Sequence, residues 1–261
     1  MDWIEANGVS LRYEISGQGT TPLVLVHELG GALESWDEVL PALQKEFKVL
    51  RYDQRGAGLS EKNTVLTLDT VIDDLCGLLD ALNFDSPAVV VGTALGSDYA
   101  IAFAAREPQR VLRLVATSPA EGLTPDRFDG LKLRAKTVLE SGMRAVVEKS
   151  LNVSYQPALR ENAKRFERYR ARWLANAPPS FAALNHMMAG MSMKGRFEQV
   201  ECETLIISGT QDTLRTPDAV EAIAKQFKHA TYRQVDTGHF MAVQTPELFL
   251  SETLPFMRGD G

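Results

Sequence analysis

Short apolar-rich runs alternate along this chain with segments whose apolar residues recur at helical spacing, and this alternation restricts the fold more than any other feature. The runs are Pro22–Val26, Phe47–Arg51, Ala88–Val91, Val111–Ala116, Thr204–Ser208 and Ala230–Val235. Strands covered on both faces read as nearly continuous apolar stretches, so the pattern predicts an α/β fold: a mainly parallel sheet with helices on both sides. Helical spacing falls between the runs: across Trp36–Phe47, where Val39, Leu40, Leu43 and Phe47 recur, from about Leu68 to Leu82, from near Leu95, over Asp218–Phe227 and over Pro246–Met257. The opening segment predicts a hairpin. Ile4 and Ala6 precede a turn at Asn7-Gly8, and Val9, Leu11, Tyr13 and Ile15 then alternate with polar residues, a pattern expected of a sheet edge rather than a core.

From about Glu121 to Val200 the strand signal stops, and Arg, Lys, Leu, Met and Ala dominate, with breaks at Ser141-Gly142, Gln156-Pro157 and Pro178-Pro179-Ser180. The expectation is one core built from residues 1–120 and 201–261, interrupted by a helical cap over 121–200. The insertion carries a net charge of +6 and the rest of the chain −12, so opposite charges should meet across the join.

Composition narrows the function. With 261 residues, 44% hydrophobic and 24% charged, the chain is neither disordered nor fibrous. A net charge of −6, with no zinc-finger spacing and no basic tail, makes nucleic acid an unexpected partner. No apolar run approaches the roughly 20 residues that span a bilayer, so no membrane association is expected. The two cysteines, Cys76 and Cys202, do not make a disulfide framework, and Met1–Glu5 has no leader character. A cytoplasmic location is the expectation.

Three strand ends carry candidate chemistry. In Val91-Gly92-Thr93-Ala94-Leu95-Gly96-Ser97, glycines on either side allow a tight strand-to-helix turn that lifts the middle residue out at the carboxyl edge of the sheet. That residue is Ala94, a bare methyl. Leu205–Ser208 runs into Gly209-Thr210-Gln211-Asp212, and Val235 runs into Asp236-Thr237-Gly238-His239-Phe240. In a parallel sheet these ends share one edge, which should bring Asp212 and His239 together.

These motifs, with Leu23–His27 before Gly30-Gly31 and Tyr52-Asp53-Gln54-Arg55-Gly56-Ala57-Gly58-Leu59-Ser60, follow the order found in α/β-hydrolases. Over nearly its whole length the chain resembles that family, and most of all the 3-oxoadipate enol-lactonase-like hydrolases. The resemblance implies an eight-stranded sheet under a helical cap, cofactor-free hydrolysis, and a triad of nucleophile, acid and histidine. Carried onto this chain, the acid is Asp212, the base His239, the nucleophile position Ala94, and the oxyanion donors the backbone N–H groups of Leu29 and Leu95. His27, Asp53 and Arg55 would brace loops.

Two positions depart from the family. Ala94 stands where the serine belongs, and no acyl-enzyme can form through a methyl group. Glu28 follows His27 where glycine is usual, which puts a carboxylate near the oxyanion loop. Three readings of Ala94 stay open: a serine enzyme whose serine has been exchanged, a native serine-free enzyme in which His239 activates water, or a binding scaffold. The serine-free reading extends to non-hydrolytic chemistry on the same base, namely decarboxylation, carbon–carbon cleavage or cofactor-free oxygenation. Glu28 is either a second acid or base, or a brace paired with an arginine. Thr93 and Ser97 are weighed as substitute nucleophiles against simple packing.

In the cap, His186, Met187 and Met191, beside Met188 and Met193, could line an apolar pocket or pack as core. Arg168, with Arg165, Arg172 and the adjacent Trp173, could draw an anionic substrate or form a solvated face. The expected partner is a small anionic molecule, with no metal and no nucleotide, since the elbow lacks both the P-loop lysine and the dinucleotide spacing.

Overall fold

The computed structural model describes residues 1–122 and 125–260. The strands are β1 (Asp2–Ala6), β2 (Val9–Ser16), β3 (Thr21–Val26), β4 (Phe47–Tyr52), β5 (Ala88–Thr93), β6 (Val111–Thr117), β7 (Glu203–Gly209) and β8 (Ala230–Val235). They form one sheet in the order β1-β2-β4-β3-β5-β6-β7-β8. The β1–β2 and β2–β4 pairs are antiparallel and all other pairs parallel. Helices α1 (Leu40–Leu43), α2 (Leu68–Ala81) and α3 (Leu95–Arg106) precede the insertion. Between β6 and β7 come α4 (Pro125–Ser141), α5 (Val147–Ser154), α6 (Ala163–Leu174) and α7 (Pro178–Gly190). The chain closes with α8 (Pro217–Ala224), α9 (Met241–Gln244) and α10 (Pro246–Arg258).

The apolar runs are explained by burial on both faces. Successive side chains of a strand point to opposite sides, so Val24, Val26 and Val90 pack with Leu75, Leu78 and Phe103 of α2 and α3 on one face. Leu23, Leu25, Val89 and Val91 pack with Trp36, Leu43, Phe249 and Met257 on the other. Neither face can take a polar residue without leaving it unpaired, so alternation disappears from these strands.

Two expectations change. The opening hairpin turns at Asn7 and Gly8, both at positive φ, but of its two strands only β1 lies at the sheet's edge. Val9 and Leu11 are fully buried, because β2 also pairs with β4 and its apolar face joins the cluster that holds Leu75 and Leu78 of α2. The segment Trp36–Phe47 is not one helix. A 3-10 turn at Leu33–Trp36 and the single turn of α1 replace it, and the helical spacing reflects burial of Trp36, Val39, Leu40 and Leu43 against β3 and β4, which Phe47 itself begins.

Charge does meet charge where the insertion touches the core. Arg165 and Arg168 of α6 reach Glu38, Arg172 reaches Asp37 and Arg196 reaches Asp69. Each of these pairs keeps at least one partner open to solvent, where an ion pair contributes about 1 kcal/mol or less.

Candidate active site

The carboxyl ends of β3, β5, β7 and β8 converge on one cavity of about 580 Å³, roofed by α4 and α5. Ala94 sits at the turn between β5 and α3 with φ 52° and ψ −117°, a conformation that costs a residue with a Cβ roughly 1–3 kcal/mol. The turn is held by close packing. A Cβ at Gly92 would collide with the carbonyl of Gly96, and one at Gly96 with the carbonyls of Val26 and His27. The elbow therefore keeps a strained geometry whose only display is a methyl group lining the cavity.

His239 also lines the cavity, and its Nδ1 lies 2.7 Å from Asp212 Oδ2. The other carboxylate oxygen of Asp212 accepts the N–H groups of Leu214 at 2.8 Å and Arg215 at 3.0 Å. Burial works against the charge on Asp212, but His239, the Arg215 N–H and the Ser118 hydroxyl outweigh it and hold its carboxyl below the ordinary range. With Nδ1–H donated to Asp212, Nε2 is left as the ring's basic nitrogen.

Leu29 and Leu95 line the same cavity. The Leu95 N–H opens α3 and has no preceding turn to bond to, and the Leu29 N–H meets no backbone acceptor among the described residues. The loop bearing Leu29 is fixed from both sides. Gln54 donates its N–H to His27 Nε2 and its side-chain amide to the His27 carbonyl, and Asn176 of the cap donates to the Gly30 carbonyl at 2.9 Å. Gly30, at φ 78°, lies so close to the Trp173 indole that a Cβ would collide with it.

Glu28 does not line the cavity. Its side chain is buried and accepts the Ser35 hydroxyl at 2.8 Å, and it pairs with no arginine among the described residues. Its neighbour on the cap side is Tyr169, whose phenol is pushed well above its ordinary pKa by burial and then by the Glu28 charge. Asp53, accepting from Arg12, Leu33 and Leu59, and Arg55, paired with Asp74, brace the turn after β4. Thr93 and Ser97 are both turned inward, Thr93 accepting from Thr117 and Ser97 donating to the Thr117 carbonyl.

Of the cap residues singled out above, Trp173 reaches the cavity. His186 is exposed. Met187 and Met191 pack into the core beside Tyr99 and Phe197, because α7 turns that side toward α3, and only Met188 of the methionines lines the cavity. Arg168 points outward to Glu38. Sequence reasoning passed over Arg134 and Arg215, which do line the cavity. The signal for the first lies in α4, where Arg127, Gly130, Leu131 and Arg134 follow helical spacing on one face.

The profile of the alpha/beta hydrolase fold family matches residues 21–246. A Caulobacter segnis protein named as a carbamate hydrolase, RutD, is 27% identical over 259 residues, covering 95% of this chain and 96% of its own. The enol-lactonase of Burkholderia xenovorans LB400 superposes with a TM-score of 0.92 at 25% identity, covering 98% of this chain and 100% of its own. A hydrolase of Pseudomonas aeruginosa PA01 does so with a TM-score of 0.91 at 30% identity, covering 98% and 97%. The chain is thus a hydrolase of the alpha/beta hydrolase family, one whose nucleophile elbow presents a methyl group.

Proposed function

We propose that this protein is a cofactor-free hydrolase of a small carboxylate-bearing ester, lactone or enol-lactone, in which the His239–Asp212 dyad activates water in place of a serine. The observation that carries the reading is that an imidazole oriented by a buried carboxylate shares one cavity with the bare Ala94 methyl. The enol-lactonase among its structural relatives supports the substrate class, and the arginines in the cavity wall favour an anion.

The roles follow from the chemistry of each group. A water above the Ala94 methyl loses its proton to His239 Nε2 as its oxygen bonds to the carbonyl carbon. The displaced electron pair moves onto the carbonyl oxygen, which the N–H groups of Leu29 and Leu95 receive. When that intermediate collapses, the leaving oxygen takes the proton back from the imidazolium, whose charge Asp212 stabilises throughout. Oxyanion donors and binding alone leave roughly 10³–10⁴-fold catalysis over water in enzymes stripped of their triad. The dyad adds base catalysis to that floor.

The test is a panel of short esters and lactones, each with and without a carboxylate, assayed on the native chain. Turnover above buffer that favours the anionic members supports the reading, and binding without turnover across the panel refutes it.

A further inference from the structure

Water activation does not use the charge in the cavity wall. Arg127 and Arg134 of α4, Lys149 of α5 and Arg215 of the core line the cavity, and no Asp or Glu among the described residues does. The four cations differ in their surroundings. Arg127 and Lys149 are exposed, and the half-buried Arg215 has the carboxyl groups of Asp98 and Asp212 beside it.

Arg134 is different. It is half-buried, and burial with no answering acid lowers its pKa to about 10. Its Nε donates to Asn185 Oδ1 at 2.6 Å, and that amide is itself pinned to the Phe181 carbonyl. The guanidinium lies over the Phe181 ring, 5.6 Å from its centre. One edge of the fork is therefore fixed on a neutral partner, and the terminal Nη groups have no protein acceptor among the described residues. A planar guanidinium held this way is suited to a bidentate carboxylate.

Most of the remaining wall is apolar, formed by Leu29, Leu95, Leu131, Val146, Val153 and Trp173. The volume of about 580 Å³ lies within the range of roughly 300–1,000 Å³ that houses drug-sized ligands. A two-carbon acyl group would leave most of this apolar surface uncovered.

Building on the function proposed above, we infer that Arg134 anchors the carboxylate of an amphiphilic substrate, and that an apolar body under the cap separates this carboxylate from the carbonyl presented to His239. Arg134 then selects the substrate by its far end and takes no part in the proton transfers.

The test is calorimetric titration of the native chain with 4-phenylbutanoate, 4-phenylbutanamide and acetate. 4-Phenylbutanoate should bind at least about tenfold more tightly than either of the others, the scale of a desolvated charge-assisted pair. That preference should vanish in Arg134→Gln, survive in part in Arg134→Lys, which keeps the charge, and stay intact in Lys136→Gln, an exposed position on the same helix. Thermal melts of each variant report folding. Equal binding of acid and amide by the native chain, or an undiminished preference in folded Arg134→Gln, overturns the assignment. Because His239→Ala should keep the preference while losing turnover, failure of the anchor and failure of the water-activating dyad read out separately.

Discussion

Asp98, one helical turn past Ala94 on α3, is fully buried and accepts the Ala120 N–H at 2.7 Å. Burial pushes its carboxyl up to about 7, against the pull of the Arg215 charge and the Ala120 N–H. An unfolded aspartate titrates near pH 4, so between about pH 4 and 7 the folded protein holds a proton that the unfolded chain has released. The stability this group contributes is full below that window and is lost as pH rises through it. Asp98→Asn, which can still accept from Ala120, should therefore gain stability relative to the native chain as pH rises. Urea unfolding at pH 4.5 and 8 should show a relative change of up to about 4 kcal/mol. A pH-independent difference would mean that Asp98 stays ionised in the fold.

Asp212 fixes which nitrogen of His239 carries the proton. Asp212→Asn would place an amide against Nδ1, favour the wrong tautomer and remove the base at Nε2. A fall in kcat of about 10⁴-fold with an unchanged fold is expected, the scale found when a triad carboxylate is neutralised. Steady-state rates with circular dichroism check it, and a loss under tenfold would deny the dyad its role.

Ala94→Ser introduces a hydroxyl where the proposed mechanism puts the attacking water, exchanging one route for another. A gain in short p-nitrophenyl ester hydrolysis below about tenfold is expected, whereas a serine enzyme stripped of its nucleophile would recover up to about 10⁶-fold. The rate ratio, with intact mass spectrometry for acylation at residue 94, separates the two.

Glu28→Gln tests the carboxylate in the oxyanion loop. Because Glu28 faces Ser35 and Tyr169 and does not line the cavity, the substitution should cost stability, about 1–3 kcal/mol, and leave kcat/KM within about threefold. Differential scanning calorimetry beside initial rates checks this. Lost activity at unchanged stability would make Glu28 a participant in the chemistry.

The sheet was legible because parallel strands leave an apolar signature that survives without tertiary context, as Val24, Val90 and Val115 illustrate. The convergence of Asp212 and His239 was legible for a related reason: residues just past parallel strands share an edge whatever lies between them. The wall of the cavity was not. Whether Met187 or Met188 faces inward depends on a rotation of α7 that both alternatives satisfy locally, and whether Arg168 or Arg134 enters the cavity depends on how α4 and α6 lie over the sheet. Nor does local pattern separate a helix from buried irregular chain at Trp36–Phe47, since either places the same side chains against β3 and β4. Glu28 was conspicuous as a departure from a pattern, but its neighbour Tyr169 lies far along the chain in the cap.

The central claim is that solvent, not a side chain, attacks the substrate under control of His239. It is tested most directly by mixing excess native protein with an anionic aryl ester, quenching over time, and recording product and intact protein mass together, beside His239→Ala. The account predicts product above the buffer rate with the protein mass unchanged at every time point, and none above buffer from the variant. An acylated protein on the reaction path, or product formation that persists without His239, would contradict it.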